Sequence, residues 1–246
     1  MLAALLVAVV ATATPAASPA PNPLKTIVTV KSSTFCGQFE KHVNSAISSA
    51  VTNDANLGSV VHILKRPDLE GSSLDRYSEI TQLTALADSI YRHYRGGETE
   101  IATLRALEAQ ATDPVEKAEL KAADDALAGA LYRQHLIQRD LDGFVAYLNA
   151  ADMRTLSDAE RSDNIALFGE ADPHQAALDF DLKAPVNGTG HPPFTGPYDG
   201  LAGDETHEDD ARYAQQAAGD FTTRFAPLVG DEMNAATHIE AVSTRC

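Results

Sequence analysis

Between Leu120 and Leu148 the residues Leu120, Ala123, Leu127, Ala130, Gln134, Ile137, Leu141, Phe144 and Leu148 follow one another at alternating steps of three and four. Steps of that size return to the same side of an α-helix, so an unbroken run of about four heptads gives one helix a continuous apolar edge. Such an edge is stable only when other helices cover it. Its start is well marked: Asp113 is placed to cap, Pro114 suits the first helical position, and Glu116 and Glu119 complement the positive end of the helix dipole. The pattern predicts a helix from Pro114 to about Ala150. Gln134 is the polar member of the seam. Two readings of it stay open: it fixes register by needing one partner, or it sits at a wet edge.

The rest of the chain offers partners for that edge. From Thr34 the residues Phe35, Phe39, Val43, Ile47 and Val51 recur every four, with Ser33 or Thr34 as a cap. Asn53 and Asp54 read as a break, after which Leu57, Val60, Val61 and Leu64 carry the apolar face to Pro67. Gly71, Ser72 and Ser73 then form a turn. A second helix carries Tyr77, Ile80, Leu83, Ala87, Ile90 and Tyr94 and is expected to stop at Gly96 and Gly97. Ile101, Leu104 and Leu107 belong to a further helical piece, Glu98 to Ala111. Near the C-terminus Tyr213, Ala217, Phe221 and Phe225 make a helix expected to kink or divide at Pro227 and to resume through Met233, Ala236 and Ile239.

Between these lie weaker signals. Short helices are expected at Ser157 to Phe168 and His174 to Phe180, and residues 183–204 lose all periodicity under repeated Pro and Gly. Leu24 to Val30 is extended, with no partner strand in sight, and is expected to lie across the bundle. The chain has no Trp and only 6% aromatic residues, so its core must be built from Ala, Leu, Ile and Val, which let helices approach closely. The fold expected is all-α, an antiparallel helical bundle of four or more helices with a long irregular loop before the last one. Residues 1–23 form a signal peptide and Pro/Ala-rich leader, 24–182 the main bundle, 183–204 the loop, and 205–246 a helical region packing back on the bundle.

The leader is read from an apolar run, Leu2 to Val10, followed by Ala11 and Ala13 at the spacing of a secretory cleavage site. It departs from a usual signal in having no Lys or Arg before the run; the first basic residue is Lys25. An uncleaved anchor is the rival reading, but the apolar part is about ten residues long where a spanning helix needs roughly 20, and Pro15, Pro19, Pro21 and Pro23 follow. A disordered leader on a cytosolic protein is the third. In an oxidising compartment, periplasmic or secreted, Cys36 and Cys246 are expected to form one disulfide pinning the last helix to the first. A free Cys36 and an intermolecular bridge through Cys246 are the alternatives.

The formal charge of −16 is uneven: 18 acidic against 6 basic residues from Asp152 to Cys246, and 17 against 13 before it. Nucleic acid and anionic membrane surfaces are therefore poor partners, because both need a basic face. Familiar catalytic signatures are missing. There is no Glu-x-x-His for a di-iron bundle, no His-Glu-x-x-His, no Gly-x-Ser-x-Gly, no Ser-x-x-Lys and no phosphate-binding Gly loop.

A few local features remain. The run Asp204, Glu205, His207, Glu208, Asp209 and Asp210 offers either a cation site or simply acidic residues at a helix N-terminus. Asp140-Leu141-Asp142-Gly143 lacks the flanking ligands of a calcium loop and lies inside the strongest helix. Asn187-Gly188-Thr189 matches a glycosylation acceptor. Phe194 and Tyr198, in a Pro-Gly segment, either pin that loop or present it to a partner.

The function expected is that of an exported, non-enzymatic binding or interaction module of the cell envelope. Its partner would be an unknown protein or small molecule, with no cofactor and no stable membrane insertion once the signal is removed. The alternative is an extracytoplasmic hydrolase or metal-dependent enzyme assembled from distant residues, such as the acidic groups of 204–210 with His174 or His238.

Overall fold

A computed structural model describes residues 22–31, 33–66, 73–155 and 207–246. Residues 1–21, 32, 67–72 and 156–206, with the leader, turn, short helices, glycosylation motif and Pro-Gly loop expected there, lie outside them. The described chain is all-helical: α1 is Thr34–Leu64, α2 Ser73–Gln110, α3 Pro114–Thr155 and α4 His207–Ser243. No strand occurs among the described residues, and no helix among them is long and apolar enough to cross a membrane.

The helices run up, down, up and down around a ring. Along α1 and α2 the paired residues are His42 with Glu100, Asn56 with Ser89, and Arg66 with Glu79, so the numbering rises on one helix as it falls on the other. The same opposed order joins α3 to α4 through Glu119 with His238, Arg133 with Asp231, and Asp140 with Arg224. Arg105 with Asp125 and Tyr91 with His135 do so between α2 and α3. α1 and α4 close the ring, and α1 and α3 face each other across its diagonal, where Gln134 donates to the Ala50 carbonyl at 2.9 Å.

The seam of α3 is buried along its whole length, from Leu120 to Leu148, Gln134 included. The wet-edge reading of Gln134 therefore fails, since the residue is 0% exposed. Asp113 caps α3 as its position requires: its carboxylate accepts from the Val115 amide at 2.8 Å and the Glu116 amide at 3.4 Å. The helix continues five residues beyond Ala150. Ser33 caps α1, its hydroxyl accepting from the Cys36 amide at 3.1 Å.

Three expected breaks are absent, each for a physical reason. Asn53 and Asp54 do not interrupt α1; they lie on its buried side, and Val51, expected in the stripe, is 36% exposed. A strict four-residue repeat drifts around a helix of 3.6 residues per turn, so the buried stripe passes from Ile47 to Ala50, Asn53 and Leu57. Gly96 and Gly97 do not end α2. A Cβ at Gly97 would stand 2.6 Å from the Leu131 Cδ1, so this glycine allows α2 and α3 to meet closely. That packing offsets the roughly 1 kcal/mol that glycine costs inside a helix. Pro227 does not divide α4, because Pro227 and Thr223, whose carbonyl it leaves without its helical partner, both face solvent.

The N-terminal segment lies across α1 as expected. Ile27 exchanges two bonds with the Asn44 side chain, both at 2.8 Å, and Thr29 gives its amide and hydroxyl to Glu40 at 2.7 Å each. Leu24 is buried, whereas Val28 and Val30 point outward. Cys36 and Cys246 form the expected disulfide, with their Cα atoms 5.3 Å apart and both residues buried. Lys31 reinforces it, its amide donating to the Cys246 carbonyl and its ammonium to that of Arg245.

Candidate functional site

The interior is divided. One apolar cluster surrounds Phe39, Val43, Leu104, Leu127 and Ile239; the other surrounds Leu57, Leu83, Ile137, Phe144 and Phe221. At the boundary the stripe of three helices carries a polar residue. These are Asn53 between Ala50 and Leu57 on α1, Gln134 between Leu131 and Ile137 on α3, and Glu232 between Leu228 and Ala235 on α4; each is 0% exposed. Asp54 joins them from α1 and Asn22 from the N-terminal segment.

Hydrogen bonds tie Asn22, Asp54, Gln134 and Glu232 together. Gln134 Nε2 donates to Asp54 Oδ1 at 2.7 Å as well as to the Ala50 carbonyl. Asn22 Nδ2 donates to Glu232 Oε1 at 3.2 Å and to Asp54 Oδ2. Asn22 thereby bridges Asp54 and Glu232. Burial raises Asp54 above the aspartate range, against the hydrogen bonds it receives from Glu232, Gln134 and Asn22. Glu232 is pushed far up by burial and then by the hydrogen bond to Asp54 and its charge, with Asp231 adding repulsion. A buried and a half-buried carboxyl group held this close by Asn22 resist ionising together. Four side-chain atoms of the layer are enclosed without a partner: Asn53 Oδ1 and Nδ2, Gln134 Oε1 and Glu232 Oε2.

A second polar group lies between α2 and α3. The Tyr94 ring stacks on His135 with centroids 4.2 Å apart. His135 Nδ1 stands 2.9 Å from Gln138 Oε1, and Gln138 Nε2 donates to Asp142. With the Gln138 oxygen accepting, His135 carries its proton on Nδ1. Burial holds His135 down, and burial together with Asp88 pushes Asp142 up to about 7. The Tyr94 hydroxyl is raised by burial and by its bond to Glu98 at 2.6 Å. Asp124, farther along α3, is 1% exposed with both oxygens unpartnered; burial, Glu108 and Asp125 lift it to about 7.

The residues singled out from sequence fall elsewhere. Residues 207–210 make the first turn of α4, while 204–206, His174 and the side chains of 207–210 lie outside the described residues. His238 is bonded to Glu119 at 2.6 Å. Asp140 pairs with Arg224, and Asp142 accepts from Gln138, within α3. Among the described residues no three His, Cys, Asp or Glu side chains gather to hold a metal. Of the polar layer, only Gln134 stood out in the sequence. Asn53 and Glu232 carried the same signal: each interrupts an apolar stripe at three-and-four spacing, as in Leu228, Glu232, Ala235 and Ile239.

Comparisons with protein-family models, with characterised proteins and with solved structures find no match to this chain.

Proposed function

We propose that this chain is an exported helical bundle of the cell envelope that acts by binding, its partner a small ligand or another protein. The observation that carries the compartment is the Cys36–Cys246 disulfide, which ties α1 to the last residue across 210 positions of sequence. Lasting disulfides belong to oxidising compartments. Binding rather than chemistry is favoured by the interior layer of Asn53, Asp54, Gln134 and Glu232. Its enclosed polar atoms point to recognition of something small and polar.

A second reading, an extracytoplasmic enzyme, is favoured by the His135–Gln138–Asp142 chain, in which a buried imidazole and a carboxyl near neutral pKa are linked. Here the amide of Gln138 separates base from acid, so Asp142 does not bond the imidazole directly. That places the enzyme second.

Fractionation of the native host, with thiol alkylation before and after reduction and N-terminal sequencing, tests the leading reading. The expected protein is extracytoplasmic, begins after about Ala13, and takes up alkylating reagent only after reduction. Recovery from the cytosol with two reactive thiols would overturn it.

A further inference from the structure

We propose that the seam of α1 and α4 occupied by residues 22–31 is a docking site for an extended, neutral-to-basic peptide segment of a partner protein, with the chain's own N-terminal segment seated there in cis as its stand-in. The inference rests on the binding reading above and names the class of partner. The seating of the segment carries it. Asn22, Ile27 and Thr29 meet Asp54, Asn44 and Glu40 of α1 in turn, so the segment runs opposite to the helix. Seven residues of segment thus cover fourteen of helix, about 21 Å at 1.5 Å per helical residue, which only an extended chain reaches.

The segment is held by its backbone. The Asn44 side chain accepts from the Ile27 amide and donates to the Ile27 carbonyl, both at 2.8 Å, the two bonds that a residue of a neighbouring antiparallel strand would supply. Glu40 accepts from the Thr29 amide and hydroxyl at 2.7 Å each. Among the described residues, 22–30 bond to no backbone group of a helix. The segment can therefore lift without breaking a helical hydrogen bond, and any extended chain offers Asn44 and Glu40 the same N–H and C=O groups. Asparagine is a poor residue for a helix interior, and pairing with a peptide unit gives Asn44 a reason for its place.

Side chains then select the occupant. Leu24 is buried in the cluster of Phe39, Val43 and Ile239, and Ile27 packs against that cluster, so the site takes apolar residues three apart. Lys25, Thr26, Val28 and Val30 are exposed and leave their positions free to vary. The side chains that bond the segment include the carboxyl groups of Glu40, Asp54 and Glu232 and no base, whereas the segment carries Lys25 and Lys31 and no acid. In a chain of net charge −16 that complementarity selects a partner segment without carboxylates. An occupant with an amide at the place of Asn22 also covers the polar layer through Asp54 and Glu232.

The test is fluorescence anisotropy of a dye-labelled synthetic peptide copying residues 22–31, added to the full, disulfide-bonded chain. Leu24→Ala with Ile27→Ala in the chain loosens the cis segment and is expected to tighten peptide binding about tenfold or more over wild type, because the site is no longer filled from within. In that background Asn44→Ala should weaken binding about tenfold, and a scrambled peptide of equal charge should not bind. No binding to the loosened chain would overturn the proposal. So would binding that survives Asn44→Ala or scrambling, which is general attraction of a basic peptide to an acidic chain. Should the loosened chain fail to fold, amide exchange on the wild type decides: Ile27 and Thr29 are expected to exchange while Val43 to Ala50 stay protected, and exchange of both only on global unfolding would overturn the site. An exported protein that binds no peptide would refute this docking site and leave the compartment reading intact.

Discussion

At the end of the bundle that holds Phe39 and Ile239, chain ends and side chains are fastened by several different means. A disulfide joins α1 to Cys246, Lys31 holds the last two carbonyls, Arg245 reaches Asp113 at 3.6 Å, and Asn44 and Glu40 bind the N-terminal segment to α1. The other end, around Leu57 and Phe144, is held among the described residues by packing of Phe144, Phe221, Leu64 and Leu83, all buried, and by Arg66 with Glu79 and Arg224 with Asp140. The first end contains the chain termini of the bundle, which fray unless tied. The second has, among the described residues, packing and two ion pairs. The bundle thus adds a disulfide and terminal bonds where chain ends are loose and relies on packing and ion pairs where they are not.

Three measurements press on that contrast. The largest effect is expected from Phe144→Ala, which opens a cavity in the end that depends on volume: a loss of about 3–5 kcal/mol in urea unfolding. Loss of less than about 1 kcal/mol would mean that this end is loosely packed. Next comes removal of the disulfide through Cys36→Ala with Cys246→Ala, expected to cost about 2–5 kcal/mol. Amide exchange should locate that loss, with protection falling first at the N-terminal part of α1 and the C-terminal part of α4 while the Leu57 to Ile63 stretch stays protected. Uniform loss would show that the two ends unfold as one.

The smallest effect concerns a carboxyl group at each end, the buried Asp124 near Leu127 and the half-buried Asp142 near Leu141. Both are held near 7, above the unfolded value of about 3.9. A raised carboxyl pKa means the folded state binds more protons, so its favourable contribution is full below about pH 4 and is lost as pH rises to about 7. Asp142 receives a hydrogen bond from Gln138, whereas both Asp124 oxygens are unpartnered. Asp124→Ala should therefore stabilise the protein by about 1–3 kcal/mol at pH 8, and by less at pH 5, with Asp142→Ala gaining less at either pH. Melting curves across that range check it, and equal gains at both pH values would remove the explanation.

Much of the fold was legible from local pattern. The α3 seam, its Asp113 cap, the N-terminal cap at Ser33 and the pairing of the two cysteines all follow from spacing and residue chemistry within the chain. The errors have a common form. Gly97, Pro227 and the Asn53–Asp54 pair each read as breaks because their intrinsic helix propensities are poor, yet each lies inside a helix. Met233, expected on the buried face, is 58% exposed, and Glu232 takes the buried place. A one-residue choice on α4 was decided by hydrophobicity when the three-and-four spacing from Leu228 to Ala235 pointed to the glutamate.

The candidate site was the least legible part. Gln134 alone was visible, as a polar member of an apolar seam, because Asp54, which it bonds, and Glu232, on another helix, lie 80 and 98 residues away in sequence. Sequence by itself determined that apolar stripes would be buried between helices, since burial depends on the period of side chains along one helix. Only the tertiary structure decided which polar residues meet at one level, because that depends on how far each helix slides past its neighbours. The slide is set by contacts such as Gly97 against Leu131, where the absence of a side chain on one helix fixes the position of another.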